Sequence, residues 1–373
     1  MLGWFKNWNK DNPTDIYGPA ILVGTVGVAV AVAAVLVTVG QPAATKSLQT
    51  GPRGTGMSVP EFVSEVESPD PTIEAYFSQE PIPPASEDAL AGDLYENVQV
   101  LGGVTDANFT RLMNAMTQWV APEQGCAYCH ANANEGNYAD DELYTKVVSR
   151  RMIQMTQNIN EFWAGHVNAN EEVGVNCYTC HRGQNVPSEI WFKLTPLGDT
   201  MEGWGAVQNR VTPVSQFTSL PSDALEKYLL DGEMIGVHNY ESHVDEGPEE
   251  EGVRSWQDAE RTYSLMNYVS NSLGVNCVFC HNSRAFNDGA QVTPQWATES
   301  LGIQMVLEMN QDYLVPLEET YPENRLGPLH GDAPKAACKT CHKGYQQPLQ
   351  GMNVIADWPE LATTSGDYVY DSE

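Results

Sequence analysis

The chain has 373 residues and a formal net charge of −30 at pH 7, from 19 Lys and Arg against 49 Asp and Glu. That balance excludes nucleic-acid binding, which needs a basic surface; it suits a basic soluble partner steered by the protein's field, or a solvated acidic coat in a salty habitat. The length allows one large domain or two modest ones, and 31 Gly with 23 Pro predict long irregular connections rather than a dense regular core.

Residues 1–15 form a polar leader in which Lys6 and Lys10 cancel Asp11 and Asp15. Residues 16–40 carry no charge, and their apolar heart from Ala20 to Val39 is long enough to span a bilayer as a helix. No clean small-x-small cleavage site follows Val39, and no nearby Cys could take a lipid. A retained signal-anchor helix is therefore expected, with residues 1–15 as a cytoplasmic tail and everything after residue 40 outside. Residues 41–90 are rich in Pro, Gly, Ser and Glu and read as a linker or as a strap lying over a surface. Residues 91–360 hold every Cys, Asp245 to Gly252 is an acidic loop, and residues 361–373 read as a solvated tail.

All eight Cys lie in Cys-x-x-Cys-His pentads: Cys126, Cys129 and His130; Cys177, Cys180 and His181; Cys277, Cys280 and His281; Cys338, Cys341 and His342. This motif marks c-type haem attachment, in which two thiols add to the vinyl groups and the adjacent His becomes the proximal iron ligand. A zinc site has no need of a His directly after the second Cys, and a redox disulfide needs only one Cys pair. Four pentads with no Cys left over predict four covalently bound haem c groups. Such attachment takes place outside the cytoplasm, in agreement with the apolar N-terminal helix.

The pentads fall into a duplicated pattern. The first and third run on as CHAN and CHNS, the second and fourth as CHRG and CHKG. Cys126 and Cys177 are 51 residues apart, Cys277 and Cys338 61. Helical periodicity is expected over Asn108 to Val120, Asp141 to Val167, Asp258 to Leu273 and Ala297 to Leu314, one stretch before each pentad. The predicted fold is mainly α: helix-plus-haem-attachment units in a duplicated two-haem arrangement with long irregular connections, little sheet, and one N-terminal transmembrane helix.

A sixth ligand separates a carrier from an enzyme with an open iron, and a thioether raises the potential. Met113, with Met116 as its local rival, precedes the first pentad, and Met266 occupies a similar offset before the third. A Met on an apolar helix face is commonly a gap filler, but the repeated offset favours ligation. Met152 and Met155 compete for the second haem. Ile153-Gln154-Met155 aligns with Ile303-Gln304-Met305, which sets Met152 opposite Gly302. If Met155 is the ligand, Met305 should serve the fourth haem; if Met152 is, the fourth haem must recruit elsewhere. Of the His outside the pentads, His238, His243 and His330 sit in loop-like stretches, whereas His166 ends the helix that carries Met152. Were that helix continuous, His166 would lie about 21 Å and about 40° from Met152, so one helix would serve two haems. The alternative role for His166 is a cap favoured by the helix dipole.

The segments RLMNAMTQWVAPEQGCAYCH, YTKVVSRRMIQMTQNINEFWAGHV, NCYTCHRG, SLGVNCVFCHNSRAFND and CKTCHKGYQQPLQG resemble the tetrahaem cytochrome subunit of bacterial photosynthetic reaction centres, over roughly Tyr95 to Leu361. The resemblance implies Met–His ligation by Met113, Met152 and Met266 for the first three haems, and bis-His ligation through His166 for the fourth. It implies a single-pass protein of the inner membrane, cytoplasmic or intracytoplasmic, with its haem domain in the periplasm. A soluble cytochrome c or a high-potential iron–sulfur protein would reduce it. It would in turn reduce the photo-oxidised bacteriochlorophyll pair held by the L and M subunits, with the H subunit and the antenna as further candidate contacts. Electron transfer of this kind asks for no catalytic acid or base, and none is assigned. Three departures stand out: many relatives carry a lipid on an N-terminal Cys that is absent here; three extra residues lie between His166 and Cys177; and Trp296 stands where a basic residue is expected. The leading rival is a membrane-anchored tetrahaem quinol dehydrogenase, which joins one N-terminal helix to four pentads but is usually shorter and uses mainly His ligands. A small-molecule reductase would need an open iron, and spacing alone does not exclude a free-standing electron reservoir.

Overall fold

The computed structural model describes residues 3–11, 17–40, 43–50, 57–66, 70–131, 133–168, 173–195, 204–237, 256–286 and 288–370. His238, His243, the acidic loop and residues 169–172 of the His166–Cys177 connection lie outside them. The chain divides into two compact units, residues 1–47 with 60–68, and residues 48–59 with 69–373.

The first unit holds helices Gly3–Asp11 and Tyr17–Val39. The second of these is apolar and uncharged, and among the described residues its Ile21–Val39 stretch alone is long and apolar enough to cross a membrane. Its side chains from Ile21 onward are exposed, as suits a helix that the protein itself leaves uncovered. Strands Thr45–Gln49 and Ser58–Phe62 pair antiparallel, with Val63 N–H donating to Ala44 O at one end and Thr50 N–H to Met57 O at the other.

The second unit is helical, and its two halves repeat. In the first half, helix Asp106–Val120 (the Met113 helix) buries Asn108, Arg111, Leu112, Ala115 and Trp119, a spacing that lays one stripe along a 3.6-residue turn. In the second, helix Trp256–Leu273 (the Met266 helix) buries Arg261, Leu265, Tyr268, Val269 and Ser272 in the same way. Each half has its own apolar core. Leu112, Trp119, Tyr178 and Trp358 anchor one; Leu225, Leu229, Leu265 and Val306 anchor the other. Two further helices, Tyr144–Phe162 (the Met152 helix) and Pro294–Glu308 (the Glu299 helix), complete the halves. The Glu299 helix runs on as a π-turn over Met309–Leu314.

Two stretches differ from the sequence expectation. The helix foreseen over Asp141 to Val167 is not continuous: it ends at Phe162, bends at Trp163, and a separate turn Ala164–Val167 carries His166. Straight-helix geometry between Met152 and His166 therefore does not apply. The stretch expected as a solvated tail is tied down over its described residues, which end at Tyr370. Thr364 N–H donates to Glu161 Oε2 at 2.6 Å, and the Tyr370 hydroxyl donates to Glu360 at 3.3 Å.

Part of the Pro-rich stretch before residue 90 lies against this unit. Trp119 Nε1 donates to Phe77 O at 2.9 Å, Asn108 brackets both backbone groups of Ile82, and Arg182 pairs with Asp70 at 2.6 Å. Arg111 forks onto Glu360 at 2.7 and 3.0 Å, with both side chains almost fully buried, and so joins the Met113 helix to the C-terminal segment.

Candidate haem-attachment site

Pentads two and four form α-turns, Cys177–His181 and Cys338–His342. Both carry Thr at the third position, and its hydroxyl folds back to accept the N–H that precedes the turn: Asn176 N–H to Thr179 Oγ1 at 3.0 Å, Ala337 N–H to Thr340 Oγ1 at 2.9 Å. The residue after each His is left-handed, Arg182 at φ 50° and Lys343 at φ 52°. The following glycines, Gly183 and Gly344, also have positive φ, a conformation that suits a residue without Cβ. Their N–H groups donate to Trp119 O at 2.9 Å and to Ser272 O at 2.8 Å. Trp119 and Ser272 are equivalent positions on the Met113 and Met266 helices, so the CHRG and CHKG signatures are docking elements for those helices.

Pentads one and three form 3-10 turns, Gly125–Tyr128 and Cys277–Phe279, with an aromatic residue where the others have Thr. Their first cysteines, Cys126 and Cys277, are exposed, whereas Cys177 and Cys338 are buried. Burial pushes the Cys129 thiol up to about 11, and Cys177 and Cys280 to about 12.

The two halves meet at equivalent positions, as across a twofold axis. Cys180 Sγ lies 2.6 Å from Cys341 Sγ, and Asn158 donates to its counterpart Glu308. The second and fourth attachment turns thus abut.

A cavity of about 1500 Å³ runs between the halves, larger than the roughly 300–1,000 Å³ of a usual small-molecule pocket. It is lined by Cys126, Cys129 and His130, by Cys177, Cys180 and His181, and by Cys338, Cys341 and His342. Met113, Met152 and His166 line it too, and so do Met116, Met155 and Met305. Of the third site only Cys280 reaches it; Cys277, His281 and Met266 do not. Met266 packs on the second core, and His281 lies beside the Phe286 ring. His330 is engaged elsewhere, on Thr195 O.

Imidazole orientation follows one rule at three of the four pentads. His130 Nδ1 donates to Tyr138 O (3.0 Å), His181 Nδ1 to Gln184 O (2.8 Å), and His342 Nδ1 to Tyr345 O (3.0 Å). Anchoring Nδ1 in this way fixes the tautomer and leaves Nε2 for a metal. His281 Nδ1 is buried without a partner among the described residues. Burial pushes His181 and His342 down to about 4, so both rings are neutral, as ligation requires.

His166 obeys the same rule, with Nδ1 donating to Thr298 O at 2.9 Å. Its ring lies against Gly302, where a Cβ would fall 2.4 Å from His166 Cε1. Gly302 occupies the position equivalent to Met152, so the second half gives up a side chain where the first half has a Met, and His166 fills the space. The His166 and His342 ring centroids are 6.2 Å apart. Two metal–imidazole bonds of about 2 Å plus the half-widths of two rings span roughly 6 Å, so this pair fits an iron between them. The residues present therefore fit haem.

Thr298, Gly302, Thr179 and Thr340 were not singled out as functional in the sequence. The signals were there: Thr recurs at one place in CYTCH and CKTCH, and Gly302 aligns with Met152.

A mainly helical fold wrapped around an apolar cavity edged by Cys-x-x-Cys-His turns defines a c-type cytochrome, a haem protein of electron transport. The profile of the family described as "Photosynthetic reaction centre cytochrome C subunit" matches residues 40–362. The chain is similar to the photosynthetic reaction center cytochrome c subunit of Roseobacter denitrificans, 66% identical over 97% of both chains. It is 39% identical to the protein so named in Rubrivivax gelatinosus, over 92% of this chain and 90% of that one. It is also 27% identical to cytochrome c-554 of Chloroflexus aurantiacus, over 69% of this chain and 70% of that one. The chain belongs to the photosynthetic reaction centre cytochrome c subunit family.

Proposed function

We propose that this chain is the electron-donating subunit of a photosynthetic reaction centre, holding four haem c groups. It would take electrons from a soluble periplasmic donor, a small cytochrome c or a high-potential iron–sulfur protein, and deliver them to the photo-oxidised bacteriochlorophyll pair in the L and M subunits. Covalently bound haem supplies one-electron redox chemistry. The chain's own part is to tether, ligate and bury.

Cys126 and Cys129, Cys177 and Cys180, Cys277 and Cys280, and Cys338 and Cys341 would hold the four groups, with His130, His181, His281 and His342 as proximal ligands. Met113, Met152 and Met266 would complete the first three sites and His166 the fourth. One feature favours Met113 over Met116 and Met152 over Met155. Thr117 Oγ1 donates back to Met113 O at 3.0 Å and Thr156 Oγ1 to Met152 O at 2.9 Å. Such back-bonding bends a helix locally, and it occurs at the same offset in both places. The Tyr17–Val39 helix would anchor the chain in the inner membrane by a single pass, with the haem region on the periplasmic side.

The observation that carries the reading is the His166–His342 pair closed over Gly302, next to the abutting second and fourth attachment turns. It supports a closed, six-coordinate wire over an open catalytic iron. Haem stoichiometry and a redox titration with electron paramagnetic resonance test it. Four haems per chain, with one bis-His centre at low potential and three Met–His centres above it, are expected. Four low-potential bis-His centres would overturn the assignment and favour a quinol dehydrogenase.

A further inference from the structure

We propose that Glu299 is a redox-linked proton site of the fourth haem, keeping its proton when that centre is reduced and releasing it when the centre is oxidised. The proposal rests on the bis-His assignment above.

Glu299 follows Thr298, whose carbonyl anchors His166, and lies three residues before Gly302, which admits the His166 ring. It lines the cavity together with Gln295, one helical turn earlier. The Oε1 atoms of both are buried and have no hydrogen-bond partner among the described residues. A carboxyl partly withdrawn from water, with one oxygen buried and unpartnered, is shifted toward its neutral form, because burying the bare charge is costly. Burial is the cause that pushes Glu299 up to about 7.

The groups that face it do not replace its proton. Its field reaches Cys280 and Cys338, whose sulfurs no longer titrate once joined to haem. The helices, turns and π-turn packed on the Glu299 helix bring His166, His342, Lys339, Glu226, Lys227 and Asp312. His166 and His342 are anchored as described, Lys339 pairs with Glu189, Glu226 accepts from Thr195, Lys227 pairs with Asp231 and Glu233, and the Asp312 backbone takes Arg151.

The coupling follows from charge. Oxidation of a haem held by His166 and His342 would add a positive charge to a low-dielectric region and would favour the carboxylate nearby. The electron would pass to the photo-oxidised pair and the O–H proton of Glu299 to solvent, and re-reduction would return both. The carboxyl therefore has a lower pKa in the oxidised protein than in the reduced one. By linkage the midpoint of this haem falls as pH rises between the two values and is flat outside them.

The test is a redox titration of the reaction-centre complex in native membranes at several values between about pH 5 and pH 9, with and without Glu299→Gln. The bis-His centre of the unsubstituted protein should lose up to tenfold in its reduced-to-oxidised ratio per pH unit at fixed potential. Glu299→Gln should abolish that dependence and leave the first and second centres, whose attachment turns its field does not reach, unmoved. Oxidation should also remove a protonated-carboxyl infrared band that shifts with isotope-labelled glutamate; this readout decides the matter if Glu299→Gln fails to assemble. A pH-independent midpoint, a slope that persists in Glu299→Gln, or no such band would overturn the proposal. Absence of any bis-His resonance would instead overturn the ligand assignment, and the proposal with it.

Discussion

At Cys177–His181 and Cys338–His342 the attachment turn is α-helical, closed by a Thr hydroxyl and pinned by a glycine N–H to a neighbouring helix. At Gly125–Tyr128 and Cys277–Phe279 the turn is 3-10, an aromatic residue replaces the Thr, and the first Cys is exposed. One residue in the middle of the pentad separates the two designs. Thr can satisfy the orphan N–H before a buried turn, whereas Tyr128 and Phe279 place no hydroxyl back on that N–H, and it is the first cysteines, Cys126 and Cys277, that are exposed at these turns. The inner pair is thus held by the scaffold, and the outer pair keeps its first cysteine exposed.

The comparison breaks most severely if the scaffold around the inner pair is less important than this. Arg111→Ala strips the partner from buried Glu360 and should cost about 3–5 kcal/mol of unfolding free energy. Chemical denaturation measures it, and a loss below about 1 kcal/mol would show that the clamp is incidental. Gly302→Ala drives a methyl group into His166 and should cost about 1–3 kcal/mol by overpacking while removing the bis-His centre. An unchanged bis-His resonance in that variant would mean that His166 is not the ligand.

Smaller effects sharpen the comparison. Thr179→Val and Thr340→Val leave a buried N–H unpaired and should each cost about 1–3 kcal/mol with haem spectra unchanged. Equal losses from Tyr128→Phe at an outer turn would erase the distinction. The smallest effect is a pH dependence. Burial pushes Asp70 up, but hydrogen bonds from Thr72 and Arg182 outweigh it and hold the carboxyl below its usual value. A depressed acid contributes stability that is present above its unfolded pKa, about 3.9 for Asp, and is lost as pH falls through the folded value. Limited proteolysis near residue 70 should therefore speed up below about pH 4, and Asp70→Asn should remove that acid step.

The pentads, the repeat and the helices were legible because each is local: fixed spacing for haem attachment, 3.6-residue periodicity for the helices. Boundaries were less so. The Met152 helix stops at Phe162 although the pattern runs on past Trp163, and the turn beyond it sets His166 against Gly302, a contact no local pattern shows. Thr363 to Tyr370 look polar enough for a free tail, yet their partners, Glu161 and Glu360, come from elsewhere in the chain. Ligand identity was legible only up to a choice. Which His depends on contacts between residues more than a hundred positions apart, such as His166 with Thr298, and which of two Met residues turns on the Thr117 and Thr156 hydroxyls that bond back to Met113 and Met152.

The central claim is that this chain re-reduces the photo-oxidised pigment pair, and a flash-induced absorbance transient on native membranes tests it most directly. The account predicts haem oxidation on a microsecond scale after the flash, kinetically matched to recovery of the bleached pair. Recovery of the pair with every haem silent would contradict it.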